Sequence, residues 1–282
     1  MTLEIELNGK RIAHKTKVFS GGEVQVKLEL DQYKGRKYSN IHEIHPMITA
    51  YLKSPADLIE LLMATAALRS FFGECPISLA MPYVPYARQD RVMSDGEALS
   101  IKVLARLINS QNYEEVVICD PHSDVTTALI NNVRVIEQWQ YLGEIIRPKL
   151  KHFVLVAPDG GALKKVIKAG KKYSEEIAGI VRADKTRDVV TGAITDTIVY
   201  SEHIGDLSFL ILDDICDGGR TFNDLAAKLK PLTNGQIHLF VTHGIFAYGF
   251  DKLRENIDRI WVGHSFVDLD PVADFVKLVA PQ

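Results

Sequence analysis

The residues best suited to chemistry stand at the ends of apolar runs. Residues 209–212 (FLIL) give way to two adjacent acids, Asp213 and Asp214, and then to a turn, Asp217-Gly218-Gly219-Arg220-Thr221. An apolar strand that runs into a glycine-rich turn and a helix start presents outward N–H groups and the positive end of a helix dipole, which together favour an anion. Paired carboxylates just before such a turn suit the hydroxyls of a sugar, or a metal that accompanies a phosphate. The plainer reading is a tight turn with two solvated acids.

The same pattern recurs. Asp120-Pro121-His122-Ser123 follows the run 116–119, Asp159-Gly160-Gly161 follows 153–157, and Thr242-His243-Gly244 follows 237–241. Ligands of open α/β sheets sit outside the carboxyl ends of strands, so these residues can converge on one cleft. Chance clustering of acids in loops is the alternative. A histidine beside a carboxylate suits metal binding or proton transfer, although a lone histidine at a strand end is more often structural. Arg88 and Arg91 end a stiff segment with two prolines and two tyrosines (residues 82–91). They read either as a solvated pair or as a fork for nucleotide phosphates.

The elements that position these groups follow from period and punctuation. Leu3, Ile5 and Leu7 alternate with Glu4 and Glu6 before Asn8-Gly9, a hairpin signal. Residues 19–23 form a second turn, before an alternating strand at 24–30. Helical spacing covers 58–72, after a start at Pro55-Ala56-Asp57, and again 98–108, 162–172 and 223–229. Further strands are expected at 76–81, 177–181 and 260–262. Residues 182–192 are polar and charged, which predicts a mobile loop. Strand, turn and helix alternate throughout. The fold class is therefore α/β, with a largely parallel sheet in each half and a boundary that separates 1–137 from 138–282.

Composition excludes several classes. At 46% hydrophobic and 24% charged residues, the chain has ample core for a globular protein. A net charge of -3 with no basic tract argues against broad nucleic-acid binding. The odd number of cysteines, Cys75, Cys119 and Cys216, forms no disulfide or metal pattern, which fits a reducing, cytoplasmic setting. No apolar run is long enough to cross a membrane, and the first residues lack a signal-peptide core.

Six motifs stand in one order: PYARQDR at 85–91, DPHS at 120–123, APDGG at 157–161, DKTR at 184–187, DDICDGGRT at 213–221 and THGIF at 242–246. In that order they resemble the ribose-phosphate pyrophosphokinases, over residues 19 to about 249. The resemblance implies two tandem phosphoribosyltransferase-type domains, with ATP on the first and the ribose phosphate and a flexible catalytic loop on the second. It implies homo-oligomers, as dimers or hexamers built from dimers. It also implies transfer of the β,γ-diphosphoryl group of ATP to the C1 hydroxyl of ribose 5-phosphate, with Mg²⁺ required.

The family's roles carry over residue by residue. Phe19, Gly21 and Glu23 resemble the turn that receives adenine across a subunit interface. Arg88 and Gln89, with Asp90 and Arg91 of the same motif, resemble the ATP-holding segment. His122 and Asp159 resemble the magnesium pair, and His122 is also a candidate to take a proton if it does not hold metal. Asp213 and Asp214 resemble the grip on the ribose hydroxyls. Asp217, Gly218, Gly219, Arg220 and Thr221 resemble the cradle of the 5-phosphate. Lys185 and Arg187 resemble the basic residues of the catalytic loop.

Three departures from the family's pattern have consequences. Acids occupy 92–97, where basic residues are usual, which bears on control by phosphate and ADP. The two ends look abbreviated, which bears on the hexamer. The cradle usually reads Asp-Thr-Gly-Gly-Thr, and here Gly218 replaces threonine while Arg220 replaces glycine. Glycine opens room beside the phosphate, and arginine can bind a second phosphate. The alternative acceptor is then the terminal ribose of ADP-ribose, which would place the chain in NAD salvage. A non-catalytic regulatory relative and an ordinary phosphoribosyltransferase are the other readings.

Overall fold

The computed structural model describes residues 2–35, 43–143, 145, 153–187 and 194–282, with the backbone alone for 185–187 and 194–196. The chain divides into two compact units, Met1–Ile136 and Glu137–Gln282.

In the first unit, β1 (Leu3–Leu7) buries Leu3, Ile5 and Leu7 and exposes Glu4 and Glu6. Asn8 (φ 51°) and Gly9 (φ 74°) take the left-handed conformations of a two-residue hairpin turn into β2 (Lys10–Arg11). A second hairpin, β3 (His14–Val18) with β4 (Val24–Leu28), forms a two-stranded sheet of its own and carries the 19–23 turn at its tip. The main sheet runs β2-β1-β5-β6-β7-β8, with β5 (Pro46–Ala50), β6 (Ser78–Ala80), β7 (Glu115–Cys119) and β8 (Val133–Ile136) parallel.

Parallel neighbours need crossovers, here mostly helical. Helix α1 (Pro55–Phe72) begins where Ser54 and Asp57 cap each other reciprocally and Pro55 fits the first turn. It packs Leu61, Ala64 and Leu68 into the core. Helix α2 (Ser100–Asn109) follows the PYARQDR loop, and α3 (Asp124–Leu129) follows the DPHS loop.

The second unit opens with the short α4 (Gln138–Tyr141). Its sheet runs β11-β10-β9-β12-β13-β14-β15 and is parallel except at one edge, where β10 and β11 pair antiparallel. The strands β9 (Phe153–Ala157) and β13 (Ile237–Gly244) are buried at every position, as expected for parallel strands covered on both faces. Between them lies β12 (Ser208–Cys216). The remaining strands of this sheet are β10 (Ile177–Arg187), β11 (Ile194–Val199), β14 (Arg259–Ser265) and β15 (Val276–Leu278). Three helices matter for the site: α5 (Gly160–Lys172), α6 (Arg220–Leu229) and α7 (Asp251–Arg254). Phe222, Leu225, Ala226 and Leu229 of α6 pack on Phe209, Ile211 and Val241 of the sheet.

Two expectations need correction. Residues 182–187 are not loop: β10 continues through them and pairs with β11 from Ala183↔Val199 to Arg187↔Ile194. Buried Val181 and Ala183 alternate with exposed Arg182, a two-residue period that the charges concealed. The rest of the expected loop, 188–192, lies outside the described residues. Likewise β13 extends through Thr242 and His243, which are 0% and 2% exposed. His243 stacks on His264 at 5.8 Å, and His264 Nε2 lies 2.8 Å from the Tyr141 hydroxyl. Burial, then His243, pushes His264 down to about 3. This histidine pair belongs to the core, not to a ligand-facing loop.

Candidate active site

In the second unit the site is built where β12 meets α6. Helix α6 starts three residues earlier than its apolar spacing predicts. Gly219 is its N-cap, with a left-handed φ of 75°, and its carbonyl accepts from Phe222 N at 3.1 Å and Asn223 N at 3.1 Å. Arg220 and Thr221 therefore lie in the first turn, where helical N–H groups have no partner within the helix. A Cβ at 219 would also fall 2.9 Å from Leu253 of α7, so glycine is required twice over. The turn is fastened from the far side: Ile245 N and Phe246 N donate to Cys216 O, and Ala247 N donates to Asp217 O at 3.0 Å.

Two details bear on the departures from the family's pattern. The room left by Gly218 is not open, because a Cβ there would lie 2.9 Å from the Tyr248 ring. Arg220 points along its helix, with Nε 3.5 Å from Asp224 Oδ2 and its side chain 83% exposed.

Asp213 and Asp214 lie in the C-terminal half of β12, with Asp214 N donating to Asp213 Oδ1 at 2.9 Å. The strand end is held by buried Gln138, whose Nε2 donates to Asp213 O at 2.8 Å. Burial holds the Asp213 carboxyl well above the ordinary carboxylate range, and the Asp214 and Asp159 charges push the same way. The pair thus resists a second negative charge until a cation or hydroxyl donors arrive. Burial, then Asp213 and Asp217, pushes the Cys216 thiol up to about 12, so it is inert at neutral pH.

Neighbouring β9 pairs with β12 and ends at Asp159. This carboxylate caps α5: Oδ1 accepts from Gly161 N at 3.0 Å and Ala162 N at 3.1 Å. Sequence reasoning missed Lys165, whose Nζ lies 3.9 Å from Asp214 Oδ2. The signal was its place in the helix. It stands three residues after Ala162 and four before Ala169, both buried, so it shares the sheet-facing side of a helix that otherwise reads as basic surface. It missed Gln138 as well, for which no local signal exists.

In the first unit the PYARQDR loop lies beside the DPHS loop. Tyr86 (φ 62°) and Asp120 (φ 39°) adopt left-handed conformations that non-glycine residues rarely take, a frequent mark of functional loops. Asp90 is buried, and Arg91 donates to it through Nε at 2.8 Å and Nη2 at 3.3 Å. Arg91 first, then the Ser123 hydroxyl and His122 nearby, hold Asp90 down at about 2 against burial. Arg91 is thus engaged by its neighbour, while Arg88, Gln89 and His122 are exposed. Of the acids at 92–97, Glu97 folds back onto its own segment, accepting from Met93 N, Ser94 N and the Ser94 hydroxyl.

Phe19, Gly21 and Glu23 stand apart on the β3–β4 hairpin. Phe19 N donates to Glu23 O at 2.9 Å, and the Phe19 ring is 40% exposed beneath Lys17 Nζ at 4.6 Å. Lys185 and Arg187 lie on β10 near its end, with Lys185 opposite Thr197. His122 belongs to the first unit and Asp159 to the second.

The donor set fits magnesium in one respect. Among the described residues, no three His, Cys, Asp or Glu side chains converge as a metal cage. Magnesium does not need one, since it keeps waters and binds one or two carboxylates together with substrate phosphates. The carboxylates at the ends of β9 and β12, whose charges act on one another, are hard oxygen donors of that kind. Among the described residues, no helix is long and apolar enough to cross a membrane.

Two domains with largely parallel sheets, the second with a carboxylate pair ahead of a glycine turn and helix start, define a protein of phosphoribosyltransferase-type architecture. Phosphoribosylpyrophosphate synthetase from Mycobacterium smegmatis has the same fold, with a TM-score of 0.75 at 20% identity over 95% of this chain and 86% of that one. Residues 3–111 match the N-terminal domain of ribose phosphate pyrophosphokinase. The ribose-phosphate pyrophosphokinase of Thermococcus kodakarensis is 28% identical over 86% of this chain and 85% of its own length. That of Chromobacterium violaceum is 29% identical over 93% and 75%. Over most of its length the chain is thus similar to ribose-phosphate pyrophosphokinases, which are transferases.

Proposed function

We propose that this chain transfers the β,γ-diphosphoryl group of ATP to the C1 hydroxyl of ribose 5-phosphate, giving phosphoribosyl pyrophosphate and AMP. The observation that supports this most is the β12–α6 connection, where Asp213 and Asp214 precede a left-handed Gly219 and the first turn of a helix. A raised, mutually repelling carboxyl pair can donate to one sugar hydroxyl and accept from another. The first-turn N–H groups beside it receive the 5-phosphate. Asp217, Gly218, Gly219, Arg220 and Thr221 form that cradle, and Lys165 limits the charge on Asp214.

Arg88 and Gln89 bind ATP phosphates, while Asp90 and Arg91 brace each other and hold the loop. Phe19, Gly21 and Glu23 serve the adenine site of a neighbouring subunit in a homo-oligomer, a dimer or a hexamer of dimers. His122 and Asp159 would hold magnesium, directly or through water, and the ion would supply charge neutralisation at the ATP oxygens. Lys185 and Arg187 come from the β10 arm to neutralise the charge on the transferred group and departing AMP. The domains 1–137 and 138–282 divide this labour into ATP and sugar sides. The setting is the cytoplasm.

The test is purified protein with Mg-ATP and ribose 5-phosphate, reading AMP and product mass. AMP with no phosphoribosyl pyrophosphate, or no AMP with any pentose phosphate, overturns the reading. A second reading keeps the chemistry and changes the acceptor to ADP-ribose. Arg220, exposed in the first turn beside the cradle, favours it, because a guanidinium there can reach a second phosphate. The same assay with ADP-ribose decides between them.

A further inference from the structure

We infer that Tyr248 is a specificity-determining residue of this site, a stacking platform for a flat aromatic group carried on the acceptor's 5-phosphate. The inference rests on the reading of residues 217–221 as the acceptor's phosphate cradle.

The geometry sets Tyr248 apart from other surface aromatics. Its ring edge packs on the backbone of Gly218, so closely that any side chain at 218 would displace it. The rest of the residue is bare, at 85% exposure the most exposed large hydrophobic of the described residues. That exposed ring offers a large, flat apolar face to a ligand at the cradle. The segment that carries the ring is fixed. Its backbone donates to the cradle at Ala247 N→Asp217 O and closes on itself at Gly249 N→Phe246 O, 3.0 Å each. Phe246 anchors it from below, 2% exposed and 4.6 Å from the Phe250 ring. The backbone that carries the ring is thus held beside the cradle, and the ring projects from it with most of its surface exposed to a planar partner.

Gly218 and Tyr248 work as a pair: one residue lacks the side chain that the other's ring replaces. An unsubstituted 5-phosphate ends at the cradle and gains nothing from the ring. A 5-phosphate esterified through a second phosphate to a nucleoside extends past it and can lay its base on the tyrosine. Base–aromatic stacking is sequence-tolerant and is worth about five- to 150-fold in affinity. The acceptor class that uses every feature is thus a nucleoside diphosphate linked to ribose.

The experiment compares wild type, Tyr248→Ala, Tyr248→Phe and Gly218→Thr in two measurements. The first is KM for ADP-ribose, ribose 5-phosphate and the methyl ester of ribose 5-phosphate, with Mg-ATP. The second is calorimetric binding of ADP-ribose without ATP. Expected is a rise of about tenfold in the ratio of KM for ADP-ribose to KM for ribose 5-phosphate in Tyr248→Ala and Gly218→Thr. The ester is expected to track ribose 5-phosphate, and Tyr248→Phe to track wild type. ADP-ribose binding should weaken about tenfold in Tyr248→Ala. Equal KM changes for all acceptors, unchanged ADP-ribose binding in Tyr248→Ala, or no ADP-ribose binding by wild type overturns the inference. If wild type releases no AMP with any acceptor, the pyrophosphokinase reading falls, and the binding arm still decides the role of the ring.

Discussion

Asp90, in the loop after β6 of the first unit, and Asp213, within β12 of the second, are both acids, and their surroundings push them in opposite directions. Asp90 has its cation already: Arg91 forks onto it and holds it down at about 2. Asp213 faces Asp214 and Asp159, and burial holds it far above the usual range. The first unit closes its electrostatics internally, so its acid belongs to the loop's architecture. The second unit leaves a like-charged pair with Lys165 only 3.9 Å off as partial compensation. Repulsion built into a fold persists where a ligand relieves it. The difference supports the proposal that sugar binding falls to the second unit, with a bracing role for this acid in the first.

The sharpest way to break this contrast is Lys185→Ala. If the second unit's arm supplies the charge at the transferred group, AMP formation should fall about 10³-fold with the folded state unchanged by circular dichroism. A loss under tenfold would detach β10 from the chemistry and revive a non-catalytic role. Asp214→Asn comes next. Removing one carboxylate should lower kcat/KM for the ribose acceptor by about ten- to 100-fold, the range of a charge-assisted hydrogen bond. It should also change the pH dependence of stability. A raised Asp213 keeps its proton longer folded than unfolded, so stability falls as pH climbs above about 4, toward the folded pKa. In Asp214→Asn that decline should shrink, as chemical denaturation between pH 4 and 8 will show. A decline as steep as wild type would mean that the pair is not coupled.

The smallest effect belongs to the first unit. Asp90 is depressed, so its contribution is present above about pH 4 and disappears as pH falls toward 2. Asp90→Asn should cost about 1 kcal/mol at neutral pH, since Arg91 is largely exposed, and should flatten the acid limb. If Asp90→Asn instead abolished AMP formation with stability intact, the bracing role would be wrong.

Much of this was legible in the chain. Leu3, Ile5 and Leu7 with Asn8-Gly9 gave the first hairpin, and the acids and glycines after 209–212 marked the turn. What was illegible had physical causes. The β10 strand lies toward a sheet edge, where polar side chains are tolerated, so Arg182, Asp184 and Lys185 read as loop. Thr242 and His243 looked like ligand chemistry because polarity alone does not tell a strand end from a strand interior. The start of α6 hid because its cap is a left-handed glycine without a capping side chain. Gly218 looked like empty space, since no local pattern announces that a ring thirty residues on fills it.

The pairing of β10 with β11 has a mechanical consequence. Lys185 is placed by its register against Thr197, and the register shifts only beyond Thr186. The anchor of the arm is therefore set by backbone pairing and not by whatever joins the two strands. Insertions or deletions between Arg187 and Ile194 should leave Lys185 opposite Thr197. The pairing thus decouples the position of Lys185 from the length of chain between the strands, and length there can vary without rebuilding the residue for which a charge-neutralising role is proposed.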